Sequence, residues 1–112
     1  MTEISWDDFD KIELRVGEII AVDEFPEARK PAWKMIVDFG EEIGARRSSA
    51  QITDLYKAEE LIGKQVLAVI NFPPKQIGSF MSECLVTGFS RSDGAIVLAV
   101  PDRPVDKGLR LV

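Results

Sequence analysis

One hundred and twelve residues with 46% hydrophobic content suffice for one globular domain with a sizeable core, and leave no room for a second. No histidine and a single cysteine, Cys84, exclude an internal disulfide and any zinc or transition-metal constellation, while a net charge of −5 argues against indiscriminate nucleic-acid binding, whose affinity comes from neutralised phosphates. The apolar runs stop at strand length and the acidic start lacks the basic-then-apolar layout of a secretory signal, so a cytoplasmic protein without membrane insertion is expected.

Ser5 is a good N-cap with Asp8 three residues later, which predicts a short helix from Trp6 to about Lys11 with Ile4 and Phe9 as its hydrophobic staple. Two readings of Trp6 stand: it packs on its own barrel, or it anchors a dimer. Ile12, Leu14, Val16, Ile20 and Val22 share one parity and predict a long amphipathic strand, in which Gly17 permits a bulge that bends it around a barrel. Phe25-Pro26 ends that strand, a charged loop with Arg29 and Lys30 follows, and Trp33 to Phe39 alternate with Lys34 and Asp38 as a second strand. Residues 45–52 read as a polar third strand, with Arg47, Ser49 and Gln51 outward and Ala50 and Ile52 inward. Thr53 or Asp54 then caps a helix whose stripe is Leu55, Ala58, Leu61 and Ile62 and whose stop is Gly63.

Val66 to Ile70 is an unbroken apolar run and predicts a strand buried on both faces. Asn71 breaks it, and Pro73-Pro74 hands over to a stiff loop displaying Lys75, Gln76, Ile77 and Phe80. Leu85 to Phe89 should pair with Ile96 to Val100 across Asp93-Gly94, ahead of a broken tail that ends in Leu109, Leu111 and Val112. This is the strand order of an all-β OB-fold, a five-stranded Greek-key barrel with a short N-terminal helix and a second helix between strands three and four. One domain, 1–112, is expected: helix 1–11, barrel 12–100 and tail 101–112.

Catalysis finds no purchase here. Nucleophilic chemistry lacks a histidine base, Cys84 at the head of an apolar strand reads as a small buried hydrophobe, and no phosphate-cradling glycine loop is present, so neither enzyme activity nor a cofactor is expected. Binding is better supplied. Residues 1–10 carry −4, from Glu3, Asp7, Asp8 and Asp10, whereas residues 43–53 carry +2, so a basic face coexists with an acidic total. OB barrels hold nucleic acid on strands two and three and on rim loops. There the candidates are Arg47, Ser49 and Gln51 on the third strand, with Asn71, Lys75, Ile77, Phe80 and Ser82 around the loop. Ile77 and Phe80 have a second reading as a cover for the barrel end, and Asn71 as an amide that satisfies loop backbone.

LRVGEI (14–19), FPEARKP (25–31), IVDFG (36–40), RRSSAQI (46–52), INFPPKQI (70–77) and SECL (82–85) resemble the tRNA-binding OB-domain family, which includes the C-terminal domain of many bacterial methionyl-tRNA synthetases. Within it the chain is most similar to the CsaA branch of export-related chaperones and tRNA-binding proteins. The resemblance implies a homodimer joined through the N-terminal helix and the tail, with Ile4, Trp6, Phe9, Leu109 and Leu111 in the interface. It also implies site roles for Arg46, Asn71, Lys75, Ser82 and Glu83, placing Arg46 where strand parity favours Arg47. Synthetase-type members read S-E-G-M where this chain has Ser82-Glu83-Cys84-Leu85, and A-D-K-L where it has Ala28 to Pro31. Those changes leave room for an apolar ligand, such as an unfolded polypeptide along Trp33, Ile77 and Phe80. The expected partners are accordingly tRNA, or unfolded preproteins together with the SecA motor; a third reading is an assembly adaptor with an empty groove.

Overall fold

In the computed structural model, which describes residues 1–112, the Ser5 hydroxyl accepts from the Asp8 N–H while the Ser5 N–H donates to the Asp8 carboxylate, both at 3.1 Å. This reciprocal capping box sets the start of α1 (Trp6–Asp10). Three antiparallel strands follow, β1 (Leu14–Glu24), β2 (Trp33–Asp38) and β3 (Ala45–Ala50), then α2 (Ala58–Leu61). β4 (Gln65–Val69) returns to pair with β1, and a small hairpin of β5 (Lys75–Ile77) and β6 (Phe80–Ser82) projects before β7 (Leu85–Val86). A second hairpin, β8 (Gly88–Ser90) and β9 (Ile96–Leu98), turns through Gly94 at φ +87°, the conformation that makes an Asp-Gly pair a hairpin signal.

The main sheet has the order β3-β2-β1-β4-β7. Its ends meet where the Glu83 N–H donates to the Arg47 carbonyl at 2.8 Å and the Ser48 hydroxyl to the Cys84 carbonyl at 2.9 Å. Five strands thus form a nearly closed barrel, the OB arrangement that the strand order predicts. Ile19, Met35, Val37, Phe39, Leu61 and Val66 fill it. No helix is long and apolar enough to cross a membrane.

Several local expectations need correction. Gly17 stays in register opposite Val66, and the bulge falls between Ile19 and Ala21 instead. Gly17 is required for close packing: a Cβ there would meet Val37 and come within 2.8 Å of the Phe39 ring. The displaced register turns Ile19 into the core and leaves Ile20 exposed, as Ile12 is on the approach to the strand. The second helix shrinks to one turn, with the Glu60 carboxylate accepting from the Lys57 N–H at 3.1 Å. Of its expected stripe only Leu61 is fully buried; Leu55 and Ile62 are exposed, and Tyr56 helps to cover the barrel, its hydroxyl accepting from the Leu98 N–H at 3.1 Å. The stiff loop after Pro74 is itself a β-hairpin, and the strand expected over 85–89 divides at Thr87 between barrel and second hairpin.

β2 pairs with β1 only from Glu18 onward, so the first half of β1 has a free edge. The tail occupies it: Gly108 N–H donates to Val16 O at 2.8 Å, Val16 N–H to Leu109 O at 3.0 Å and Leu111 N–H to Leu14 O at 2.8 Å. The Arg110 guanidinium then reaches the Asp10 and Ile12 carbonyls. This ties the tail to the end of α1.

Candidate nucleic-acid interface

Strand pairing decides which side chains face outward. β2 and β3 align Lys34 with Ser49 and Ile36 with Arg47, opposite in parity to the inward Met35, Val37 and Ser48. Beside this face lies a groove of about 700 Å³, walled by the β1–β2 loop with Phe25, Glu27, Arg29 and Lys30, floored by Ser49 and Gln51, and closed by Lys75, Gln76 and Ile77. The projecting hairpin supplies that far wall, so Lys75 and Ile77 reach the groove because β5 pairs with β6.

Phe80 stands at the junction. Its ring centroid is 5.4 Å from that of the buried Phe25, tilted by 59°, and Lys34 Nζ and the Arg47 guanidinium lie over it at 5.9 and 5.8 Å. Lys34 Nζ also lies 5.4 Å from the Phe25 centroid. Glu83 steadies Arg47, accepting from its backbone N–H at 3.0 Å and its Nε at 3.2 Å. The backbone N–H of Arg47, more than its guanidinium, holds the Glu83 carboxyl below its ordinary range. Arg29, Lys30, Lys34 and Lys75 pair with no carboxylate.

Other predicted site residues are placed elsewhere. Arg46 and Arg47 both belong to β3 but face opposite ways; Arg46 Nη1 donates to the Ile70 carbonyl at 2.8 Å, at the end of the barrel. Trp33 shares the inward parity of β2, packs against the core and donates from Nε1 to the Tyr56 carbonyl at 3.0 Å. It therefore forms no apolar strip with Ile77 and Phe80. Asn71 is engaged on both sides of its amide, accepting from Glu13 N–H at 3.0 Å and donating to Lys11 O at 2.6 Å.

Ser82 and Glu83 line a separate cleft of about 370 Å³ with Phe72, Pro73, Cys84 and Leu85, and Lys75 borders both this cleft and the groove. Burial pushes the Cys84 thiol up to about 11, which keeps it protonated and unreactive at neutral pH. Phe25, which lines the groove, and Lys34, beside it, are residues of the candidate site that the sequence reading passed over. For Lys34 a signal existed: the alternation of Trp33, Met35 and Val37 already turned it outward, beside the polar third strand.

At the other apolar feature, Ile4, Trp6, Phe9 and Val112 line a cleft of about 400 Å³. Trp6 is 84% exposed, so it does not pack on its own barrel. Leu109 and Leu111 lie on the neighbouring tail, about half exposed.

A protein-family model described as "Putative tRNA binding domain" matches residues 14–110, which takes in the barrel and most of the tail. The chain belongs to the tRNA-binding domain family. Among solved members of similar shape are the CsaA chaperone of Picrophilus torridus, 49% identical over 98% of this chain and all of that one with a TM-score of 0.92, and the chaperone CsaA of Bacillus anthracis, 42% identical over 99% and 100% with a TM-score of 0.93. The methionine–tRNA ligase of Methanocaldococcus jannaschii is 30% identical over 99% of this chain but only 17% of its own length. The chain thus spans about a sixth of the length of the curated ligases it matches.

Proposed function

We propose that this chain is a non-catalytic, cytoplasmic RNA-binding protein of the CsaA type, that tRNA is its ligand, and that it works as a homodimer. The observation that carries the reading is a set of cations without a carboxylate partner, Arg29, Lys30 and Lys75 lining one groove and Lys34 on the strand face beside it, in a chain whose net charge is −5. Retaining uncompensated positive charge on an acidic protein suits a polyanion held in one place, through its shape and its phosphates. The exposed apolar cleft at α1 and the tail supports the dimer.

Labelled tRNA titrated against the protein over a salt series tests the reading. Affinity should fall steeply with salt, and Arg47→Glu with Lys75→Glu should weaken binding by roughly 10-fold or more and flatten the salt slope by about 2. Unchanged affinity in a double variant with wild-type circular dichroism removes this groove as the site.

One observation favours a second reading, an export-related chaperone that holds unfolded preproteins and contacts the SecA motor. Phe72 and Leu85 are exposed around the cleft that adjoins the groove at Lys75, a place where an apolar side chain of an extended polypeptide fits. A salt-insensitive complex with an unfolded polypeptide that displaces tRNA would make this the principal activity.

A further inference from the structure

The pair Phe25–Phe80 has no place in a list of phosphate-binding groups, yet it touches the cations on the outward face of β2 and β3. We propose that Phe80, backed by Phe25, is a positioning residue that holds Lys34 and Arg47 together as a preset pair for the phosphates of a bound RNA. The proposal rests on the RNA-binding reading above and deepens it.

Lys34 and Arg47 are diagonal neighbours across the β2–β3 pair, since Lys34 opposes Ser49 and Arg47 lies two residues along from it. Such neighbours are about 7–8 Å apart at the backbone, close enough for both charged ends to meet over one ring. Two long cationic side chains at that spacing repel each other and lose rotamer freedom when a ligand fixes them. A carboxylate between them would hold them still but neutralise what the ligand needs. An aromatic ring attracts a cation through its quadrupole and carries no net charge, so it restrains both groups without adding a carboxylate to the one that Arg47 already has in Glu83, and leaves Lys34 unneutralised. Lys34 Nζ is shared between the two rings at 5.4 and 5.9 Å, and the rings brace each other at 5.4 Å. Glu83 engages Arg47 through Nε, which leaves the two terminal guanidinium nitrogens for the ligand.

The arrangement also narrows the class of RNA. With two cations over its ring, Phe80 is no free platform on which an unpaired base stacks, and Phe25 is buried beneath it. The groove therefore suits the phosphate backbone of a folded helical segment better than an unpaired loop.

A double-mutant cycle on tRNA affinity tests this. Lys34→Gln should weaken binding about fivefold in the wild-type protein and by less than half that factor in a Phe80→Leu background, while Phe80→Tyr should bind as the wild type does. Equal effects of Lys34→Gln in the two backgrounds overturn the proposal, as does Phe80→Leu binding at full strength. If the wild type retains no tRNA at low salt, it is the RNA reading that fails. The positioning role is then judged on the free protein by NMR: upfield ring-current shifts of the Arg47 side chain, which lies over Phe80 but not over Phe25, present in wild type and Phe80→Tyr and lost in Phe80→Leu, support it, and their absence from the wild type overturns it.

Discussion

Glu83 joins barrel closure to the groove, because its backbone N–H bonds the Arg47 carbonyl while its carboxylate accepts the Arg47 backbone N–H and Nε. Its pKa is lowered from 4.5, first by that backbone N–H. A carboxylate with a depressed folded pKa contributes stability that is complete above its unfolded pKa and disappears as pH falls through the folded one. Glu83→Gln should therefore cost only about 1 kcal/mol at neutral pH, because solvent screens this partly exposed pair. In thermal unfolding the gap between variant and wild type should stay constant down to about pH 5 and shrink below it. A gap that persists unchanged at pH 3 would show that the carboxylate's charge contributes nothing. The side-chain parity behind this contact was readable in advance: alternation along ARRSSAQI turned Arg47 outward, and the structure sends Arg46 to the Ile70 carbonyl. Phe80 was not decidable, since a phenylalanine in a Pro-led loop reads equally well as exposed or folded back, and only the three-dimensional meeting of Phe25, Lys34 and Arg47 settles it.

Asn71 joins two elements that the chain order keeps nearly sixty residues apart. Its amide clamps Lys11 O and Glu13 N–H, so the end of β4 fixes the link between α1 and β1. The family resemblance implies a ligand role for this asparagine, and the two roles predict different outcomes. Asn71→Ala should speed hydrogen exchange at the Glu13 amide and leave tRNA affinity within about twofold, because the ligand-facing cations are unaltered. An affinity loss of tenfold with unchanged exchange would return Asn71 to the RNA site. Element by element, regular alternation was legible and departures from it were not. β2 and β3 appear nearly where their patterns put them because each keeps its parity, and β4 because its unbroken apolar run has strand length. β1 could not be read as one alternation, since the bulge at Ile20 reverses its parity: Gly17 and Ile19 face the core before it and Val22 after it. The β5–β6 hairpin, two strands of three residues each, is too short for any period to show.

At the scale of the whole molecule, an acidic chain presents an unpaired basic groove on one surface and an apolar cleft on another, with no lining residue in common. A second copy suits the cleft, because a two-fold contact would cover Ile4 and Trp6, 69% and 84% exposed, on both partners at once. It would also leave both grooves open. Trp at the centre of such a contact typically carries about 2 kcal/mol or more when truncated, a factor of roughly 30 for each of the two copies that a homodimer contains. Sedimentation of Trp6→Ala at micromolar concentration should therefore show monomer where the wild type is expected to show dimer, with little change in the melting of the barrel, since Trp6 is 84% exposed and no member of the core cluster. RNA binding should respond as well: with two grooves on one tRNA the second contact is intramolecular, so the monomer should lose affinity by far more than twofold and show a shallower salt slope. A Trp6→Ala dimer that persists would place the interface elsewhere. A clean monomer that binds tRNA with the wild-type affinity and slope would mean that each groove acts alone, and that pairing serves some purpose other than holding the RNA.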